Sequence, residues 1–420
     1  MPTLRKIAKI RAEVVLKNRL LQTAICLCAA GCPAAYAAEA ANDGDVVRAV
    51  VGGGVVYDSN LFRLPDFVDP QTALGQSTKS DTVTNAYVGL RIDKPYALQR
   101  FQLDLTETMY RYENFSHLNY EAFDYRGAWQ WHLTPRLSGT ISAERKETLV
   151  PFEDFVILSQ QRNVRNNDNR DFNVDWWAFG GWHLLGGVSQ HKQRSEIPFL
   201  AEADFSMVDR QGGVRYESSA GNSLAFVQHV REGDYLNRAL DSINQLDSSF
   251  EEDESELRLK WRLGGHSSLD GSVGWLDRRH DNFPVRDFSG AVGEVGYGWT
   301  PTGKLRFYFS AKRNIDAIVD AFSSYRINNT FSFIPSWQAT DKWTFSLRLD
   351  RIESDFRGAV TPLTGSARSD TLHSVKLMAD WAPTRNLSLS TGLQQAERSS
   401  NTPTAEFDAS VFFLRAGFKF

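Results

Sequence analysis

Beyond residue 32 the chain has no cysteine, because Cys26, Cys28 and Cys32 are the only three. That excludes a disulfide framework or thiol chemistry for the remainder. No uninterrupted apolar run reaches 18 residues, which excludes a bundle of transmembrane helices. Charge of one sign is lacking too. Lys+Arg total 47 and Asp+Glu 51, for a net charge of −4, so there is no nucleic-acid footprint. Helical periodicity is nearly absent after residue 45. The eight histidines show no HExxH spacing and no G-x-S-x-G occurs, so no metal, cofactor or catalytic residue is assigned. Acids such as Asp104 and Asp124 leave a carboxylate pair open, but one sequence does not give their separation. What the chain has in quantity is aromatic: 11 Trp, 13 Tyr and 27 Phe.

The N-terminus reads as a bacterial secretory signal. Arg5, Lys6, Lys9, Arg11, Lys17 and Arg19 precede a short apolar core, Leu20 to Ala30, and Ala35-Tyr36-Ala37 presents small residues to a signal peptidase. The expected division is a signal peptide over 1–37, a short periplasmic segment over 38–45 and a single domain over 46–420. The apolar core is too short for a membrane anchor. Ala29 stands three residues before Cys32 where a lipoprotein site would carry Leu.

Period-2 alternation then repeats along the chain. Trp343, Phe345, Leu347 and Leu349 alternate with Thr344, Ser346, Arg348 and Asp350. Leu257, Leu259, Trp261 and Leu263 alternate with Glu256, Arg258, Lys260 and Arg262. A soluble sandwich and a membrane barrel both alternate. Three features favour the barrel. The segments are long enough to cross a bilayer at a tilt. Short turns (KPYALQ, TPRL, LLGG, SAGNS, GGHS, TPTGK, ATDK, APTRN) alternate with longer polar loops at 58–80, 149–168, 235–252 and 357–369. Finally, Trp131, Trp182, Trp299, Trp337 and Trp381 each precede a short turn, and Leu137, Val188, Leu305, Trp343 and Leu387 follow six residues later to open the next strand. Tryptophan repeated at one end reads as an interfacial girdle on the periplasmic side.

At the C-terminus Phe412, Leu414, Ala416, Phe418 and Phe420 share one face, and Phe420 is last. That ending reads as the signal taken by the barrel assembly machinery. The expected fold is therefore all-β: an antiparallel transmembrane barrel of the outer membrane of a Gram-negative bacterium, with about 18 strands and 16 also compatible. Its surroundings would be outer-membrane lipid and lipopolysaccharide.

One stretch stands out after the first strand: YDSNLFRLPD, Tyr57 to Asp66. Asp58-Ser59-Asn60 starts a turn by side-chain-to-backbone bonds. Leu61 and Phe62 are expected to tuck under the first long loop, and Arg63 to pair with Asp58 or a loop acid. The sharper alternative makes the segment a substrate-facing lip. Tyr57, Asp58, Asn60, Leu61, Phe62 and Arg63, placed just after a secretory signal, resemble outer-membrane barrels of exosortase-associated extracellular-polysaccharide loci, the EpsL type. The resemblance is specific over residues 46–66. It implies a role in exopolysaccharide biosynthesis, by export or secretion of the polymer with periplasmic export components, and supplies no catalytic residues. The alternatives are a barrel enzyme acting on lipid or glycan, and a general porin or structural barrel.

Parity assigns the lumen. Arg91, Arg126, Arg215, Arg231, Arg258, Lys260, Arg262, Arg306 and Arg348, with Asp104, Asp124, Glu294 and Asp350, are expected to face inward. They read either as a self-neutralising network or as a path for an anionic glycan. Tyr87, Trp177 and Tyr308 also point inward, to stack on sugar rings or to fill a plugged lumen. The acidic run Glu251 to Glu256 reads as a solvated loop end, with divalent-cation binding a minor option.

Overall fold

The computed structural model describes residues 46–152, 160–197, 203–317, 323–358 and 367–420. The expected signal peptide, the 38–45 segment and all three cysteines lie outside the described residues.

The described chain is strand upon strand: Val47–Asp58 (β1), Asp81–Tyr96 (β2), Gln99–Tyr112 (β3), Tyr120–Thr134 (β4), Leu137–Leu149 (β5), Val164–Phe179 (β6), Trp182–Ser195 (β7), Phe205–Glu217 (β8), Ser223–Tyr235 (β9), Ser249–Leu263 (β10), Ser267–Arg279 (β11), Phe288–Trp299 (β12), Leu305–Ala317 (β13), Tyr325–Gln338 (β14), Trp343–Arg357 (β15), Ser369–Trp381 (β16), Leu387–Ser400 (β17) and Phe407–Lys419 (β18). Each pairs antiparallel with its sequence neighbours. The ring closes where β1 pairs β18, from Val50↔Lys419 to Asp58↔Val411. The result is an 18-stranded closed barrel without an edge strand. Closure is the condition for burying strands in lipid, where nothing replaces a lost backbone partner.

Register decides which side each residue takes. Leu257 lies opposite Phe226 and Val273, and Leu347 opposite Leu377; all are on the outer wall, Leu347 half-buried and the others exposed. Their sequence neighbours Arg258 and Arg348 face the lumen by the same parity. The outward apolar rows run about four residues per strand, close to the ~25 Å belt of outer-membrane barrels.

The ladder has one gap at mid-wall. Strands β14 and β15 pair through Phe333↔Leu349 and resume at Ser336↔Ser346. Pro335 stands in the gap with no N–H to donate. An apolar groove of about 580 Å³ covers it on the outer face, lined by Pro335, Trp337, Phe345, Leu347, Leu377 and Phe412 among others.

Two turn placements differ from the sequence reading. The LLGG stretch is not a turn: Leu184 to Gly187 lie inside β7, and the chain reverses at Gly180-Gly181, with Gly180 at φ 54°. A glycine in the left-handed region makes the tighter reversal. Trp182 therefore opens a strand rather than preceding a turn, and Val188 is mid-strand; Leu137, Leu305, Trp343 and Leu387 do open strands. The ends of two expected long loops, 149–168 and 235–252, also move. β6 begins at Val164 and β10 at Ser249, so the acidic run belongs to a strand.

Three long loops share a design that the sequence reading missed. Asn114–Tyr120 (NFSHLNY), Asn282–Phe288 (NFPVRDF) and Asn401–Phe407 (NTPTAEF) each contain a 3-10 turn and end on a buried aromatic. The sixth residue accepts a backbone N–H from the end of the strand before or the residue just after it: Tyr112 to Asn119 at 2.7 Å, His280 to Asp287 at 2.8 Å and Ser400 to Glu406 at 3.4 Å. The leading asparagine reaches the preceding long loop, at Ser80, Asp247 and Ala367 respectively.

Candidate functional site: the barrel lumen

The segment after β1 folds back into the lumen at the long-loop end. Asp58 and Asn60 are fully buried there. The Asn60 side chain acts as a piece of backbone. Its Nδ2 donates to the Leu64 carbonyl (2.8 Å) and the Asp408 carbonyl (2.9 Å), and its Oδ1 accepts from the Leu64 N–H (2.9 Å). Asp58 accepts from the Asn60 N–H at 2.9 Å and pairs with Arg63 at 2.8 Å, while Arg63 takes φ 54°. This lock ties the segment across the closing seam to β18.

Locked in this way, Leu61, Phe62 and Leu64 are buried rather than exposed. With Leu74 of the helix Pro70–Leu74 (α1) they join Val56, Val83, Tyr112, Phe115 and Phe413 in a dry core. Phe62 meets Phe115 edge-on at 4.8 Å and Phe152 at 4.3 Å. Four such buried side chains are worth on the order of 6–12 kcal/mol of apolar transfer, an upper bound. The segment 59–80 is thus a plug packed against β1–β5 and β18, not a lip.

The β8–β11 wall is filled differently. His229 lies 2.8 Å from Asp209 and 3.4 Å from Glu256, and Arg258 reaches Glu256 at 2.6 Å. Arg231 pairs with Glu254 at 2.7 Å, and with Asp209 and Glu252 at 3.4 and 3.5 Å. Arg278 bonds Glu252 at 2.8 Å and lies 3.5 Å over the Phe250 ring. Alternate members of the acidic run, Glu252, Glu254 and Glu256, build this lattice from the inside of β10; Glu251 and Asp253 face outward. The expected solvated loop end is therefore a strand whose inward acids are half-buried against Arg231, Arg258, Arg278 and His229. Arg231 is among the inward residues expected from parity, as is Arg215, which bonds Asp175 at 2.5 Å; Asp209, His229 and Arg278 were not read as inward, although the same alternation would have found them.

The other inward cations are placed as follows. Arg91 lies 3.8 Å from Asp104, and Arg348 bonds Asp350 at 2.7 Å. In register, Arg126 stands opposite Asp104 and Glu144, and Lys260 opposite Asp270. Arg262 and Arg306, near the short-turn end, make no ion pair among the described residues. Glu294 stands 4.0 Å from Lys312, and Asp124 accepts the Glu147 N–H at 2.9 Å. Among the described residues no three His, Cys, Asp or Glu are grouped to hold a metal.

The inward aromatics do not stand free as stacking platforms. Tyr87 lies flat on Gly52 and Gly417, and a Cβ at Gly52 would come within 2.5 Å of its hydroxyl oxygen. Tyr308 covers Gly296 in the same manner. Glycine is needed at Gly296 because the ring occupies the Cβ site, and at Gly52 because the Ala416 carbonyl oxygen and the Tyr87 ring both do. Trp177 donates to the Gly180 carbonyl at 2.5 Å and stacks on His183.

On the outer wall, Trp182, Trp299 and Trp337 are exposed at the short-turn end and Trp381 is half-buried. Trp131 differs: it is 7% exposed, laid over Gly139 and stacked on Phe172. Phe412, Leu414, Phe418 and Phe420 are exposed on one face of the last strand, and the Phe420 N–H donates to the Ala49 carbonyl at 2.9 Å.

Residues 259–420 match the model of a family described as "Putative beta-barrel porin 2". The match leaves out residues 46–66, on which the polysaccharide resemblance rests. No curated protein matches the chain. Among solved structures it is similar to Pseudomonas aeruginosa OpdK with vanillate (11% identity, 89% of this chain and 99% of that one, TM-score 0.49). It is similar at the same values to a BenF-like porin from Pseudomonas fluorescens Pf-5. A third is Pseudomonas aeruginosa OccK2 with glucuronate (9% identity, 89% and 98%, TM-score 0.49). By its own strand pairing the chain is a closed 18-stranded antiparallel β-barrel.

Proposed function

We propose that this barrel is an outer-membrane channel for small polar solutes, narrowed at its long-loop mouth by the 59–80 plug. The observation that supports the reading is the pairing of a closed, outwardly apolar wall with a polar lumen stitched by ion pairs. Such a wall is stable in lipid, and such a lumen holds water. In this reading Phe412, Leu414, Phe418 and Phe420 recruit the assembly machinery, Trp182, Trp299, Trp337 and Trp381 mark the periplasmic interface, and the protein is not an enzyme. The test is single-channel recording of the purified, heat-modifiable protein in planar bilayers. Discrete steps are expected, and shortening the plug by residues 61–78 should raise their conductance severalfold. A folded barrel that passes no ions in either form would sink the reading.

A second reading is polymer export. It rests on the Tyr57–Arg63 resemblance and on Arg262 and Arg306 standing at the short-turn mouth without an ion-pair partner among the described residues. Arg262→Glu with Arg306→Glu should then lower secretion of an acidic polymer at unchanged barrel abundance. Unchanged secretion would leave the channel reading alone.

A further inference from the structure

The outer wall is not uniform at its long-loop end. On β6 the outward residues above Phe172 are Arg170, Asp168 and Asn166; on β7, above Val188, they are Gln190, Lys192 and Arg194. The register sets Arg170 against Gln190, Asp168 against Lys192 and Asn166 against Arg194. Two flanking outward cations are already engaged: Arg145 with Asp168 at 2.8 Å and Arg210 with Glu232 at 2.7 Å. Arg170, Lys192 and Arg194 make no ion pair among the described residues. Further round the wall, on β9–β11, carboxylates set the rim: Glu232 lies directly opposite Glu251, and Asp253 opposite Asp277, with the outward Arg279 there bonded to Asp253 at 3.2 Å. The cationic patch is therefore a local feature of β6 and β7, not a property of the whole ring.

We propose that Arg170, Lys192 and Arg194 form a binding site for the phosphate groups of an outer-leaflet phosphoglycolipid. Its acyl chains would lie down the exposed Phe172, Trp176, Leu184 and Val188. The geometry fits an anionic amphiphile standing upright on the wall. Lys192 and Arg194 are two residues apart on one face of a strand, about 6.6 Å along it. Arg170 is the cross-strand diagonal neighbour of Lys192, at about 7–8 Å. Neighbouring phosphate oxygens can therefore be met by two cations at once, with each guanidinium able to bind bidentately. Directly below, the wall offers only apolar contact, so a free anion gains the charges alone while an amphiphile gains both.

This rests on the bilayer-embedded reading, and the test separates the two. The full chain is reconstituted in phosphatidylcholine vesicles with and without a bisphosphorylated lipid A-type glycolipid. The readout is the temperature at which the folded gel band converts to the unfolded one. A lipid that binds the folded wall raises that temperature. The phosphorylated glycolipid is expected to raise it for the wild type, and the same glycolipid with its phosphates removed, or inorganic phosphate, is expected not to. The variant Arg170→Ala/Lys192→Ala/Arg194→Ala should convert at the wild-type temperature in pure phosphatidylcholine and lose the glycolipid shift. High salt should reduce the wild-type shift. An equal shift in the variant, a shift from the dephosphorylated lipid or from inorganic phosphate alone, or no shift in the wild type would each overturn the proposal. A wild type that shows no heat-modifiable band in any vesicle would overturn it together with the membrane reading.

Discussion

Two parts of the same lumen are filled by opposite means. Against β1–β5 and β18 the 59–80 plug is dry, with Leu61, Phe62, Leu64 and Leu74 packed among aromatic rings and Asn60 satisfying the backbone around it. Against β8–β11 the described residues insert no comparable apolar segment, and Arg231, Arg278, His229 and the inward glutamates of β10 line the wall. A plug gains stability by removing apolar surface from water. A charge lattice at best breaks even against desolvation, but it keeps the wall wettable. The contrast separates a side of the lumen that is structural core from a side that, in the channel reading proposed above, stays wettable for a solute.

The comparison can be broken at its strongest point first. Asn60→Ala leaves the Leu64 N–H and two carbonyls buried without partners, and should cost about 3 kcal/mol of barrel stability. Urea unfolding followed by band conversion reads it, and a loss under about 1 kcal/mol would mean that the plug is not locked by this residue. On the other wall, Glu252→Ala strands Arg278 and weakens Arg231, for about 2 kcal/mol in the same assay. Glu252→Leu with Arg278→Met should cost less than the single change, because no uncompensated charge remains. A double variant worse than the single one would make the lattice a source of stability after all.

The mid-wall gap allows a change of the opposite sign. Pro335→Val restores a donor to the β14–β15 ladder and should stabilise by about 1 kcal/mol. No gain would show that the missing rung is already relaxed. The smallest effect concerns the loop crown. Glu196 is held below its ordinary value of 4.5 by its bond from Arg162, which stands in the loop after β5. A lowered carboxylate contributes stability that is complete above its unfolded value and lost as pH falls through the folded one. Both partners are more than a third exposed, so the effect is about 0.3 kcal/mol. Proteolysis of that loop should quicken below pH 4.5 and show no step near neutrality.

Much of the fold was legible because a lipid-facing wall enforces alternation. Leu347 must face out and Arg348 in wherever the strand sits, so side, strand count and the long-loop/short-turn rhythm follow from local pattern. Reading failed where one residue type serves two purposes. LLGG looks like a turn, yet Gly186 and Gly187 sit inside β7 while Gly180-Gly181 reverse the chain. EEDESE looks like a solvated run, yet period 2 sends every second acid inward, Glu252 and Glu254 to arginines on β9 and β11 and Glu256 to His229 and Arg258. The three 3-10 loops share a seven-residue pattern that comparing the chain with itself would have revealed.

By itself, the sequence determined an outward apolar face, an inward polar one and a terminal strand with an aromatic ending, because period-2 patterning acts through nearest neighbours along the chain. Tertiary structure alone decided that Asn60 bonds Asp408 from 348 residues away, that Tyr87 covers Gly52, and that Arg231 gathers three acids. These contacts depend on ring closure and on register between distant strands, and no local pattern carries that information.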